Sequence, residues 1–150
     1  MKAQAASAWN IQIASLAAHI DLATVERATG RTGQKKIHEL AKLVIAKDLK
    51  GSLEFVSLLS DEGYNLVQFA KDLIHYFRKV LSLKVNPALS KVFEKELTRD
   101  EIAAILKLSA AADVASLVKL IRALIRAYAE MRYSPFAIVP LEVVLVEHLS

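Results

Sequence analysis

Asn65-Leu66-Val67-Gln68-Phe69-Ala70-Lys71-Asp72-Leu73-Ile74-His75-Tyr76-Phe77-Arg78-Lys79-Val80-Leu81-Ser82-Leu83-Lys84 is the stretch that decides the fold. Leu66, Phe69, Ala70, Leu73, Phe77, Val80 and Leu81 recur mostly at three- and four-residue steps, while Gln68, Lys71, Asp72, His75, Arg78 and Lys79 take the other side. That spacing follows the 3.6-residue turn of an α-helix over about five turns, and it does not fit a strand, whose apolar residues alternate. Asn86-Pro87 ends the pattern, because proline disfavours a helical conformation at the residue before it.

The same period extends in both directions. Upstream, Leu49, Leu53, Val56 and Leu59 predict a helix capped by Asp48 and closed by Asp61-Glu62-Gly63. Before it, Ile37, Leu40, Ala41, Val44 and Ile45 predict another from Gln34 to Ala46, with Lys35, Glu39 and Lys42 outside. A short helix is expected over Asp21–Glu26, ended by Gly30 and Gly33, and another over Ile11–Ala18. Residues 1–19 carry little pattern, so the helical domain is expected to occupy 20–150 as a single unit.

Downstream, Ala88–Leu97 reads as a connector with one helical turn, and Thr98-Arg99-Asp100-Glu101 as a capping box opening a helix that contains Ile102, Ile105, Leu106 and Ser109. Asp113 caps the next helix. Leu117, Val118, Ile121, Leu124, Ile125 and Tyr128 form its expected inner face, and Lys119, Arg122, Arg126 and Glu130 another. Leu120, Ala123 and Ala127 lie outside that stripe, which makes the helix apolar over more than one face. Leu120 and Ala127 are therefore candidate interface residues, with Arg132, Tyr133, Ser134 and Pro135 beyond them. Ser134-Pro135 stops the helix. Pro140 suits the first turn of a last helix, where a missing amide costs little, with Leu141, Val144 and Leu145 inward. Periodicity alone leaves a strand open for Val139–Val146.

Composition agrees with an all-α chain. Hydrophobic residues reach 54% with only 7% aromatic, and 4 Gly and 3 Pro are too few for the turns of a β-sandwich. One domain of about six to seven helices is expected. The net charge of +4 is dispersed, so the basic residues read as a solvated surface and any DNA contact as indirect. The absence of Cys excludes disulfides and thiolate metal sites and fits a cytoplasmic chain. Ala3–Ile20 lacks charge but is interrupted by Gln4, Ser7, Asn10, Gln12, Ser15 and His19, so it reads neither as a signal peptide nor as a membrane span.

Chemistry is not legible. Gly30-Arg31-Thr32-Gly33 before Lys35-Lys36 lacks the spacing and leading strand of a phosphate loop. His19, His38, His75 and His148 are scattered, and His38-Glu39 lacks the second His of a zinc-protease helix. Asp61-Glu62 and Asp100-Glu101 sit where helix ends explain them. Ser134 has no nucleophile elbow around it. No catalytic residue, cofactor, metal or small-molecule substrate is expected.

The order of signals resembles a known family. Ile20-Asp21-Leu22-Ala23-Thr24-Val25-Glu26, Lys47-Asp48-Leu49-Lys50-Gly51-Ser52-Leu53, Gly63-Tyr64-Asn65-Leu66-Val67-Gln68-Phe69, Lys71-Asp72-Leu73-Ile74-His75-Tyr76-Phe77-Arg78 and Glu130-Met131-Arg132-Tyr133-Ser134-Pro135, followed by Pro140-Leu141-Glu142, are similar to the collar domain of the bacterial DNA polymerase III gamma/tau clamp-loader subunit. The resemblance implies a helical collar-type fold and a non-catalytic oligomerisation role in DNA replication, with sister clamp-loader subunits as partners. It assigns ATP hydrolysis to a preceding ATPase domain, whose phosphate loop and metal-binding cysteines are missing from this sequence. A stand-alone helical adaptor for a protein or peptide is the alternative, and residues 1–15 depart from the family's lid helix.

Overall fold

Side-chain caps set where most of the helices begin. The computed structural model describes residues 31–150, and among these every regular element is helical. The elements are α1 (Arg31–Ile45), α2 (Leu49–Asp61), α3 (Leu66–Val85), a 3-10 turn (Pro87–Leu89), the single turn α4 (Ser90–Phe93), α5 (Arg99–Ala111), α6 (Val114–Met131) and α7 (Ile138–Leu149). Asp48 accepts from the Gly51 amide at 2.8 Å, Asn65 from Gln68 at 3.1 Å and Asp113 from Ser116 at 2.9 Å, each satisfying an amide that the first helical turn would otherwise leave orphaned. A Cβ on Gly51 would meet the Asp48 carboxylate at 2.4 Å, so any other residue there would oblige the capping side chain to shift.

The capping box is formed in both directions. The Glu101 amide donates to Thr98 Oγ1 at 3.1 Å, and the Thr98 amide donates to Glu101 Oε1 at 2.8 Å. Thr98→Ala is expected to cost about 1 kcal/mol, read as a lower urea midpoint with an unchanged m-value.

Two helices end alike on different residues. After α2 the Tyr64 amide reaches Leu59 O and the Gly63 amide Ser60 O, with Gly63 left-handed at φ 81°. After α1 the Asp48 amide reaches Leu43 O and the Lys47 amide Val44 O, but the left-handed position, φ 60°, holds Lys47. An L side chain there costs roughly 1–2 kcal/mol, and no sequence signal marks the turn.

α3 is the hub. Leu66, Phe69, Ala70, Leu73, Tyr76, Phe77, Val80 and Leu83 are buried along it, so Tyr76 and Leu83 join the expected stripe and Leu81 is only partly covered. α5 and α6 pack on α3, α7 packs on α6, and α2 packs on α7. From Ile37 onward α1 adds Ile37, Leu40, Ala41 and Val44 to the same core.

Several expectations change. Gly33 lies inside α1 rather than ending an earlier helix. On α5, Leu108 is buried beside Ile102, Ile105 and Ser109. The strand left open at Val139–Val146 is the helix α7, with Pro140 in its first turn and Leu141, Val144 and Leu145 inside. The helices expected at Ile11–Ala18 and Asp21–Glu26 lie outside the described residues.

Leu120 and Ala127 need the largest correction. The buried seam of α6 is Leu117, Leu120, Leu124, Ala127 and Met131, while Ile125, expected inside, is 51% exposed. Leu120 at 2% and Ala127 at 1% are core residues and present no surface to a partner. The seam follows alternate three- and four-residue steps, the spacing that keeps one line of a helix against its neighbours.

Candidate interaction surface

The junction between α6 and α7 is built from side-chain and turn contacts. Met131 is buried and anchors the end of α6, after which the Tyr133 amide donates to Glu130 O and the Ser134 amide to Met131 O. The Phe136 amide then donates to Ser134 Oγ at 3.0 Å. Ser134 and Pro135 therefore make a fixed turn, which gives the Ser134 hydroxyl a structural use. The Arg132 guanidinium lies 5.9 Å from the Tyr128 ring centre and 5.5 Å from that of Tyr133.

This turn displays apolar surface. Tyr133 is 82% and Phe136 69% exposed, and Val139, Val143 and Val146 continue along the outer face of α7. Residues 139, 143 and 146 are spaced by four and three, so they form one line opposite buried Leu141, Val144 and Leu145. An exposed apolar row of this kind is a candidate surface for a partner. The sequence pattern marks the inner face of α7 through Leu141, Val144 and Leu145, while the outer face is set by the spacing of Val139, Val143 and Val146.

Arg132, Tyr133, Ser134 and Pro135 are thus adjacent and at the surface, whereas Leu120 and Ala127 lie apart from them in the core. Among the described residues no three His, Asp or Glu side chains converge to hold a metal ion. A cleft of about 100 Å³ opens between the end of α1 and the α5–α6 junction, lined by Val44, Lys47, Asp113, Leu117, Leu120 and His148 among others. It is well below the roughly 300 Å³ lower bound of small-molecule pockets. No described helix is long and apolar enough to cross a membrane.

His38 and His148 are partly buried. The Tyr76 hydroxyl and His38 Nδ1 share a hydrogen bond that joins α3 to α1. Burial, with Glu101 second, raises the Tyr76 phenol well above its ordinary pKa, so it stays protonated. Burial, then Lys42, lowers His38 despite Glu39, and burial, then Lys47 and Lys119, lowers His148. A histidine lowered in the folded state binds more protons when unfolded. The stabilisation is therefore complete above the unfolded value of about 6.5 and is lost as pH falls through the folded values. The urea midpoint is expected to fall between neutral pH and about pH 5. His38→Gln, whose amide oxygen can still accept from Tyr76, is expected to flatten part of that fall; an unchanged profile would refute the assignment.

Residues 20–150 match the family model described as DNA polymerase III subunits gamma and tau domain III. The chain belongs to that family. It is 36% identical over 78 residues to the DNA polymerase III subunit tau of Bacillus subtilis, a match covering 50% of this chain and 14% of the relative. The gamma/tau domain thus spans a small part of that relative's length. Its fold is similar to that of the Bacillus subtilis DNA clamp loader delta protein, with a TM-score of 0.69 and 17% identity, over 86% of this chain and 40% of that one. The resemblance read from Gly63–Phe69 and Glu130–Pro135 is the family that the model match shows, and the helical clamp-loader fold expected from it is the fold observed.

Proposed function

We propose that this gamma/tau domain is a non-catalytic oligomerisation scaffold, occupying 20–150, that packs against sister clamp-loader subunits of DNA polymerase III in the bacterial cytoplasm during DNA replication. The observation that carries the reading is the outward row of Phe136, Val139, Val143 and Val146, positioned by the Ser134 turn. A helix apolar on both faces is stable at a surface once its second face is covered, and a neighbouring helical domain has the shape and chemistry to cover it. Arg132, Tyr133, Ser134 and Pro135 form the proposed rim of that contact. Family membership supports the setting, and ATP hydrolysis belongs in this reading to another part of the subunit.

The test is sedimentation velocity on the chain alone and mixed with gamma/tau and delta-type subunits. A larger species is expected in at least one case, and a persistent monomer in every mixture would overturn the proposal.

A further inference from the structure

A second surface, on α6, bears a different chemistry. Lys119, Arg122 and Arg126 are all exposed, at three- and four-residue spacing. At 100° per residue they fall within about 60° of arc and extend about 10 Å along the axis. Among the described residues none of the three has an ion-pair partner, in contrast with Lys79, which lies 3.4 Å from Glu96. Lys119 and the exposed Lys47 just after α1 both act on His148, which extends the positive field past the start of the row. At the other end stand Arg132 and the exposed ring of Tyr133. Glu130 is the single acid of α6 and lies near this end.

We propose that this face of α6 binds single-stranded nucleic acid, with Lys119, Arg122 and Arg126 on successive phosphates and Tyr133 stacking on a base. Phosphates follow one another every 3.4 Å or so along a stacked strand, so a row of about 10 Å meets about three of them. The aromatic at the end of the row separates this from a general polyanion site, since cations that track a backbone and a ring that receives a base are the two parts of a single-strand platform. In a duplex the base faces are stacked and unavailable to Tyr133. The dispersed basic residues read from the sequence as a solvated surface are thus assembled by the helix into one line. The three cations lie apart from the valine row of α7, and only Tyr133 is shared with the rim of that contact, so the triple charge variant and the α7 variants test the two proposals separately.

The test is fluorescence anisotropy with the whole chain and a labelled oligothymidylate of about sixteen nucleotides, at about 50 mM salt and above. Binding is expected, with log K falling against log salt at a slope of about −2, as three phosphate contacts on a single strand require. Replacing Lys119, Arg122 and Arg126 together by Gln, which keeps good helix formers, is expected to weaken binding at least about tenfold with the helical circular dichroism retained. Tyr133→Ala is expected to weaken it about fivefold or more, and Glu130→Gln to strengthen it. No binding at low salt, or equal binding by the triple variant, overturns the proposal. So does competition by polyglutamate as effective as that by unlabelled oligonucleotide, which would make the face an acidic-protein site. Equal affinity for duplex with no effect of Tyr133→Ala overturns the single-strand assignment.

Discussion

Phe77→Ala is expected to destabilise the folded chain by about 3–5 kcal/mol, the largest effect of any single truncation considered. The ring is fully buried on α3, the helix on which both α5 and α6 pack, and it meets the neighbouring Tyr76 ring edge-on at 6.3 Å between centres. Truncation removes the transfer free energy of the ring and leaves a void that helices fixed on either side of α3 close only in part. Against a total stability of roughly 5–15 kcal/mol, that loss moves the chain toward the unfolding threshold. Urea denaturation followed by circular dichroism measures it, with Ile125→Ala as the paired control. Ile125 is equally apolar but exposed, so its truncation is expected to change stability by no more than about 0.5 kcal/mol. Similar losses at the two positions would contradict the orientation of α6 as well as the central place of α3.

That pair of residues also shows what the sequence could and could not reveal. Thr98 with Glu101, Asp113 and Asp48 each mark a helix start through a short-range hydrogen bond, and the structure has all three caps, with Asn65 capping α3 in the same way. Such signals are local, so they are readable without knowing the fold. The rotation of α6 about its axis is not local. Its apolar residues at 117, 118, 120, 121, 124, 125, 127 and 128 cover so wide an arc that several inward faces fit the pattern equally well. The choice falls to α3 and α7, which it must satisfy at once, and they select Leu120 and Ala127 over Ile125. The Lys47 turn was hidden for a related reason, since tertiary packing of α1 against the core outweighs the cost of a left-handed lysine.

The candidate surface was half legible. Arg132-Tyr133-Ser134-Pro135 stood out as a motif, and its place at the junction of α6 and α7 follows from a helix stop that any Ser-Pro pair would suggest. The function of that turn was not readable, because it depends on the Ser134 hydroxyl receiving the Phe136 amide and so aiming Phe136 outward. Likewise, the valines of α7 divide into inner and outer sets only once α2 and α6 occupy one side of it.

Phe136→Ala combined with Val143→Glu is expected to weaken association with the sister subunit that sedimentation identifies by at least about thirtyfold, roughly 2 kcal/mol at the level of an interface hot spot. Both side chains are exposed in the isolated chain, and glutamate is a good helix former, so the folded domain is expected to keep its urea midpoint to within about 0.5 kcal/mol. The two substitutions act differently. The first removes a large ring that can fill a partner's pocket, while the second places a carboxylate in the middle of the apolar line, where covering it would strip its water without a compensating charge. Their effects are expected to be non-additive if one partner surface covers both positions, because residues 136 and 143 would then be desolvated in the same event. The triple Gln variant of Lys119, Arg122 and Arg126 serves as the reciprocal control, since it alters charge on α6 and leaves the α7 row intact. Unchanged association in the Phe136→Ala, Val143→Glu chain would place the interface elsewhere on the domain. Loss of association in the charge variant alone would transfer the assembly role from the valine row to the cationic face of α6.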